Sequence, residues 1–226
     1  MEIQRISTGG IGWLEELEGS TGWLWGSDYT SGDLYEAEEL YRSGHRINKN
    51  RLIFVKAGDG AVCEPLKAAD GQYFGRPCFY EGRFIVLLAD FPAGELRLMA
   101  VQPEGEASES TGGGAPGDAG RADILAVIGL SGIKDCYNLL PQISPLMISR
   151  QEAELFQLVW PFKAEFAIAP QESFCFRDGE RLFFSKWFED PDYREEVVVR
   201  ALDGTVLEQY PGSLRDGPDG QKWLLV

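Results

Sequence analysis

The chain has 226 residues and a mass of 25.1 kDa, with 44% hydrophobic and 25% charged residues. That length suffices for one sizeable domain or two small ones, and the ordinary apolar and charged fractions exclude a chain that is disordered throughout. Its 36 acidic and 21 basic residues give a formal net charge of -15. A charge of that sign and size argues against nucleic-acid and anionic-membrane partners, because it repels their phosphate groups.

Runs of apolar residues typical of β-strands recur along the chain about ten residues apart. Many of them are bounded by Asp-Gly or Glu-Gly pairs, from Asp59-Gly60 to Asp219-Gly220. Because such a pair between two apolar runs favours a type I′ turn, these pairs predict antiparallel hairpins. The clearest predicted strands lie at 51–55, 83–88, 95–101, 123–128, 181–184 and 195–200.

Three segments are less regular. The windows 34–41 and 153–160 carry apolar residues at helical spacing, so short helices or irregular strands fit both. The run 135–145 contains Pro141 and Pro145 among apolar residues. Since proline cannot donate to a central ladder, we place this run at a sheet edge or a channel rim.

A low-complexity segment interrupts the strand pattern. Residues 102–120 contain no large apolar side chain, so burial cannot offset the conformational entropy that ordering would cost. We expect a mobile loop over 103–121, inside a single domain that spans residues 1–226.

Two stretches of the chain resemble each other at an offset of 97 positions. Residues 78–87 read Cys-Phe-Tyr-Glu-Gly-Arg-Phe-Ile-Val-Leu, and residues 175–184 read Cys-Phe-Arg-Asp-Gly-Glu-Arg-Leu-Phe-Phe. Each continues through a polar connector into a further strand-like run. If the offset covers two structural units, each unit has about 48 residues, within the ~40–50 residues of a four-stranded propeller blade.

The second stretch carries a family resemblance. Arg177-Asp-Gly-Glu-Arg-Leu-Phe-Phe-Ser185, followed by Glu196-Val-Val-Val-Arg-Ala-Leu-Asp-Gly204, resembles a blade of the WD40-like and TolB-like β-propeller repeat proteins. Complete members of these families usually have more blades than the roughly four or five that 226 residues allow. The resemblance implies a binding scaffold more often than an enzyme, and it transfers no catalytic residue.

We therefore predict an all-β fold in which antiparallel meanders form a small or incomplete β-propeller-like array. A β-sandwich or an open barrel is the alternative. Residues 22–26 and 221–226 are both strand-like. Because propellers often complete one blade with strands from both termini, we expect these two runs to share a sheet.

The densest cluster of polar and aromatic residues, 186–196, lies between two predicted strands, and loops on rigid scaffolds often carry binding groups. Trp187 and Tyr193 are suited to stacking on a sugar ring or another planar ligand. Glu189 and Asp190 are suited to accepting hydroxyl groups or holding a cation, and Arg194 to pairing with a carboxylate. A solvated loop in which Asp190-Pro191 starts a turn is the alternative interpretation.

A second candidate is the oxygen-rich segment 27–33, which adjoins Trp23 and Trp25. Asp28 and Asp33 suit a hard cation such as calcium, but their spacing is not that of a calcium-binding EF-hand loop. Asx and Ser/Thr turns explain the composition equally well. We therefore retain Trp23, Trp25, Asp28 and Asp33 as candidate ligand-binding residues and predict no metal site and no cofactor.

The N-terminus and the cysteines bear on the compartment. Met-Glu-Ile-Gln-Arg lacks the basic start and apolar core of a secretory signal, and no apolar run approaches the ~20 residues of a membrane span. The cysteines at 63, 78, 136 and 175 form no C-x-x-C motif, and each has apolar neighbours, which predicts buried free thiols. We expect a cytoplasmic location.

Catalytic motifs are missing from the sequence. The single histidine, His45, excludes most histidine-based catalysis, and G-x-S-x-G, S-x-x-K and H-E-x-x-H motifs do not occur. The leading hypothesis is a non-catalytic binding or interaction module for another protein or a small polar molecule. The alternative is a glycan-acting hydrolase with paired carboxylates, which needs only two acids at a set distance, but the 36 acidic residues single out no pair.

Overall fold

The computed structural model describes residues 3–45, 47, 49–103, 122–217 and 221–226. These residues form an all-β protein built from antiparallel meanders, as the sequence predicts. The strands and the α-helix are Glu15–Glu16 (β1), Trp23–Ser27 (β2), Leu34–Arg42 (α1), Leu52–Lys56 (β3), Val62–Cys63 (β4), Gln72–Phe74 (β5), Cys78–Tyr80 (β6), Arg83–Asp90 (β7), Glu95–Val101 (β8), Ala122–Gly129 (β9), Leu140–Ile143 (β10), Leu146–Glu152 (β11), Leu155–Trp160 (β12), Ala164–Ala167 (β13), Glu172–Asp178 (β14), Arg181–Phe188 (β15), Arg194–Ala201 (β16), Val206–Pro211 (β17), Ser213–Asp216 (β18) and Lys222–Leu225 (β19).

The strands pair into five open sheets. Sheet A has the order β1-β2-β3-β4, sheet C the order β10-β11-β12-β13 and sheet D the order β14-β15-β16-β17, while sheet E contains β18 and β19. Sheet B has the order β5-β7-β8-β9, and β6 also pairs with β7. Pro77, which has no N–H to donate, lies between β5 and β6, so these two strands act as one interrupted first strand of sheet B.

The contacts divide the chain into two compact units, Met1–Cys136 and Tyr137–Val226. Sheets A and B belong to the first unit, and sheets C, D and E to the second. The single domain over 1–226 stays a prediction, and the predicted loop over 103–121 lies outside the described residues from position 104 onward. Within the described ranges, no helix combines the length and the apolar content needed to cross a bilayer.

The three less regular segments adopt different secondary structures. The window 34–41 forms the helix α1, whereas 153–160 lies mostly on the strand β12. Pro141 lies on β10, the edge strand of sheet C, as predicted for the proline-containing run. The expectation that the terminal runs share a sheet is wrong, because β2 already pairs with β1 and β3 while β19 pairs with β18.

All four cysteines are free thiols. Cys78 and Cys136 are buried, and burial raises the pKa of the Cys78 thiol and raises that of Cys136 to about 12. Burial also raises the pKa of Cys175. Because the thiolate is the reactive form, these three side chains stay protonated and unreactive near neutral pH.

Aromatic stacking joins the two sheets of the first unit. Phe54 of sheet A stacks on Phe84 of sheet B with ring centroids 3.9 Å apart and planes 2° apart. Trp23 meets the Phe84 ring edge-on at 5.0 Å. Leu52 and Val86 are fully buried in the same cluster. Alternate residues of β3 and β7 thus supply the apolar layer that both sheets need.

The second unit repeats this arrangement with a different set of rings. Phe156 of sheet C lies 5.0 Å from Phe174 and 5.2 Å from Phe184 of sheet D. At the margin of this cluster the buried carboxylate of Glu172 accepts hydrogen bonds from Arg200, at 2.8 Å for the shortest. The pair satisfies both charges where water is excluded.

The two stretches that resemble each other in sequence form hairpins whose turns differ by one residue in register. Tyr80 pairs with Arg83 around Glu81-Gly82, and both central residues have positive φ, as a type I′ turn requires. Asp178 pairs with Arg181, so the second turn is centred one residue beyond the Asp-Gly pair, on Gly179 and Glu180. The hairpins therefore correspond at an offset of 98 rather than 97.

Gly204 lies in a turn that packs closely on Phe166, beside the core of the second unit. It has φ +87°, and an added Cβ would lie 2.4 Å from Cγ of Phe166. Gly179 also has positive φ, +57°, but no atom lies within 4 Å of its added Cβ. We expect Gly179→Ala to cost about 1 kcal/mol for the left-handed backbone, and Gly204→Ala to cost about 2 kcal/mol more because Phe166 must move. Urea unfolding measures both; equal losses would contradict the packing.

The ion pair between Arg51 and Glu64 makes the stability of the fold depend on pH. Arg51 donates to both carboxylate oxygens, at 3.0 and 2.7 Å, and these bonds hold the pKa of Glu64 below its ordinary value of 4.5. The pair therefore stabilises the folded state fully above about pH 4.5, and this contribution disappears as the pH falls through the lower folded pKa. Both side chains are about one third exposed, so the contribution is about 1 kcal/mol or less.

We expect Glu64→Gln to lower the free energy of unfolding near pH 7 and to have a diminishing effect below pH 4.5. Urea unfolding at pH 7 and pH 3.5 measures this difference. The exposed Glu16→Gln is the matched control, with little effect at either pH. A destabilisation by Glu64→Gln that stayed constant down to pH 3.5 would rule out the ion pair as its cause.

Candidate functional site

The predicted ligand residues fall into two groups, one in each unit. The first unit contains Trp23, Trp25, Asp28 and Asp33, and the second contains Trp187, Glu189, Asp190, Tyr193 and Arg194.

In the second unit, Trp187 and Tyr193 lie around the same carboxylate. Trp187 is opposite Glu195 in the β15–β16 ladder and is 41% exposed. Tyr193 donates its hydroxyl to Oε1 of Glu195 at 2.6 Å, and this bond raises the pKa of Tyr193. Trp187, near the end of β15, and Tyr193, just before β16, are therefore both presented to solvent.

Of the charged residues in this region, Arg194 has partners within the protein, whereas Glu189 and Asp190 are exposed. The Arg194 guanidinium lies 4.0 Å from the Phe188 ring centroid, and Nη1 donates to the backbone oxygen of Asp190 at 3.4 Å. Arg194, at the start of β16, is thus held against Phe188 of the neighbouring strand β15, while the two acids are left in water.

In the first unit, both aspartates serve the local fold. Asp28 Oδ1 accepts from the side chain of Asn50 at 2.9 Å and from the backbone N–H of Arg51 at 2.7 Å. Asp33 is the N-cap of α1, where Oδ1 accepts from the N–H groups of Tyr35 and Glu36. The contacts of Asp33 are the Asx-type contacts that the composition also allowed, whereas those of Asp28 tie β2 to the chain segment before β3. In the described part of the chain, no three His, Cys, Asp or Glu residues group as metal ligands.

The two tryptophans of the first unit take part in packing. Trp25 is 3% exposed and belongs to the core, with the Arg76 guanidinium 5.9 Å from its ring. Trp23 is half-buried against Phe84. Trp25 is therefore too buried to stack on a ligand.

A cavity of about 280 Å³ lies in the second unit, between the β10–β11 hairpin and β14. None of the nine predicted ligand residues, all of which the structure describes, lines it. The residues that line it are Asn138, Leu140, Gln142, Ser149, Gln151, Ser173 and Phe174.

The β-hairpin places the polar lining on one face. Leu140 and Gln142 are two residues apart on β10, so their side chains point the same way. Ser149 lies directly opposite Leu140 in the ladder, and Gln151 follows two residues later on β11. Met147, Ser149 and Gln151 alternate along β11 and therefore share one face. Met147 is buried in the core, and Ser149 and Gln151 form the polar part of that face.

Gln151 joins the hairpin to β14. Its Nε2 donates to the backbone oxygen of Glu172 at 2.7 Å, and its Oε1 accepts from the N–H of Phe174 at 2.8 Å. These two groups, two residues apart, point to the same side of β14. The side-chain amide therefore satisfies the edge of β14 as a neighbouring peptide group would.

The other two amides are only partly used. Asn138 donates through Nδ2 to the backbone oxygen of Gln151 at 3.2 Å, and Gln142 donates through Nε2 to Oγ of Ser149 at 3.2 Å. Their side-chain oxygens make no hydrogen bond with another described residue. Both oxygens are available to a donor on a bound molecule.

The lining is polar but uncharged. It contains no carboxylate, imidazole, thiol or cation, so it has no group for proton transfer near neutral pH and no base to activate Ser149 or Ser173. The nearby carboxylate of Glu172 is buried on Arg200.

Sequence reasoning missed this site because its residues are individually unremarkable. The usable signal is the period-two placement of Asn138, Leu140 and Gln142 before a proline turn, and of Ser149 and Gln151 after it. Ser173 and Phe174 carry no such signal, because the packing of sheet D on sheet C brings them to the cavity.

Comparisons with known proteins add no relative. The chain matches no protein-family model, no curated protein and no solved structure. We therefore infer function from the geometry of the site.

The bridging role of Gln151 is testable by Gln151→Leu. The substitution leaves the backbone groups of Glu172 and Phe174 without their partners, which we expect to cost about 2 kcal/mol. Gln209→Leu, on exposed β17, is the matched control and should change stability by less than about 0.5 kcal/mol. Urea unfolding gives the loss. Amide hydrogen exchange should show faster exchange at Phe174, and unchanged exchange there would disprove the bridge.

Proposed function

We propose that this chain is a non-catalytic binding module that takes a small, uncharged polar molecule in the cavity between β10, β11 and β14. The supporting observation is the lining, which offers amide and hydroxyl groups and no charge. Ligand sites commonly combine an apolar surface with a few well-placed polar groups. Leu140 and Phe174 supply the apolar surface here, and Asn138 and Gln142 supply the unused oxygens.

We propose further that the sheets act as blades of a small or incomplete β-propeller-like array, as in the WD40-like and TolB-like repeat proteins. Sheets A, B, C and D each have four successive strand positions in a meander, which is the strand content of one blade. Such scaffolds present binding groups on loops and inner strands, so this frame supports the proposed binding function.

The lining also weighs against the glycan-acting hydrolase. Glycoside hydrolysis needs two carboxyl groups across the scissile bond, at ~5 Å or ~6.5–9.5 Å. The cavity lining has none. A sugar held here would have no acid to protonate its leaving group.

The cellular setting is part of the same proposal. Four free thiols fit a reducing compartment such as the cytoplasm. The net charge of -15 fits a partner other than nucleic acid or an anionic membrane.

A fragment screen tests the proposed function. Cocktails of small uncharged and charged molecules are screened by thermal shift against the wild-type chain and two variants. Ser173→Phe fills the cavity from an exposed position, and Ser131→Phe, exposed in the first unit, is the matched control. We expect uncharged hits that raise Tm by several degrees for wild type and Ser131→Phe but not for Ser173→Phe.

Two outcomes would contradict the proposal. Hits that survive Ser173→Phe and vanish in Trp187→Ala would place the ligand on the exposed loop. A screen in which only charged molecules bind would show that the neutral lining does not select the ligand.

A further inference from the structure

We infer that the cavity in the second unit selects an uncharged, polyhydroxylated ligand about the size of one sugar ring. The inference rests on the proposed function, because it names the chemical class of the molecule bound at that site. Its starting point is size. A volume of about 280 Å³ falls just below the ~300–1,000 Å³ of pockets for drug-sized ligands, so the occupant is small.

The unused hydrogen-bonding atoms favour hydroxyl groups. Each of the amides of Asn138 and Gln142 has one oxygen without a partner among the described residues and one N–H already engaged. A ligand must therefore donate to the two oxygens while accepting from the remaining amide hydrogens. One hydroxyl both donates and accepts through a single atom, whereas a peptide N–H or C=O does only one of these.

The apolar part of the lining complements such a ligand. Leu140 and Phe174 stand among the polar groups, and Phe174 is fixed from behind by its contact with Phe156. A sugar ring has C–H groups on its faces and hydroxyls around its rim. It can therefore pack on these two side chains while its rim reaches Asn138, Gln142 and Ser173.

The absence of charge in the lining sets the selectivity. A carboxylate or an ammonium group that entered this cavity would lose water without gaining an ion pair. A charged analogue of the right shape should bind at least ~10-fold more weakly than its neutral parent.

The experiment compares defined probes on the whole chain. D-glucose, D-galactose, D-mannose and myo-inositol are screened by saturation-transfer NMR, and a binder is titrated beside its uronic acid, where one exists, and beside glucosamine. N-acetylalanine methylamide serves as the peptide-like probe. We expect at least one neutral polyol to bind, and its charged analogues to bind ~10-fold more weakly or not at all.

Variants locate the recognition. Gln142→Leu should weaken polyol binding ~10-fold or more, since it removes one of the two unused oxygens. Gln142→Asn, which keeps the amide, should recover part of the loss. Gln209→Leu, the same exchange on exposed β17, should leave binding unchanged. Far-UV circular dichroism of each variant confirms that the sheets are intact.

The outcomes separate this inference from the proposed function. Binding of the peptide-like probe with silence from all polyols would overturn the ligand class and leave the binding function standing. Equal or tighter binding of the uronic acid would also overturn it. Silence from every probe, together with a fragment screen without hits, would remove both. Polyol binding that Gln142→Leu does not change would place the ligand elsewhere.

Discussion

The structure depends on one constraint: each of the sheets A to D must bury alternate side chains of its strands against another sheet. In the first unit the facing rings of Phe54 and Phe84 meet this requirement, and in the second unit Phe156 packs between Phe174 and Phe184. A two-stranded hairpin alone has too little apolar surface to be stable in water. The meanders of sheets A to D are therefore stable as packed layers.

The candidate site lies where this apolar packing ends. Along β11, Met147 belongs to the core, whereas Ser149 and Gln151, on the same face, bring polar groups. There β14 is the edge strand of sheet D, and the side chain of Gln151 on β11 satisfies that edge. The result is a small recess whose polar lining groups are uncharged. The proposed ligand would therefore meet amide and hydroxyl groups there and no charged side chain.

Local chemistry in the sequence accounts for the elements. Alternating apolar residues and Asp-Gly or Glu-Gly pairs predict the strands and hairpins, since both act over a few residues. Register is different. The sequence similarity aligns Gly82 with Gly179, yet the turns are centred on 81–82 and 179–180, so the equivalent positions are 98 apart. A shift of one residue would turn every side chain to the opposite face, and burial of Phe184 selects the observed register.

The candidate residues also divide into those that local sequence predicts and those that packing decides. Composition and period were sufficient for an all-β fold, for strand positions and for an exposed Trp187 and Tyr193, because solvated loops and half-buried strands leave a local pattern. They did not predict that Trp25 is buried in the core. They also did not predict the cavity, whose walls come from β10, β11 and β14. Those strands are separated in the chain, and which amides keep an unused oxygen depends on which edges meet after folding. That pairing is a property of packed sheets, and no short window of residues contains it.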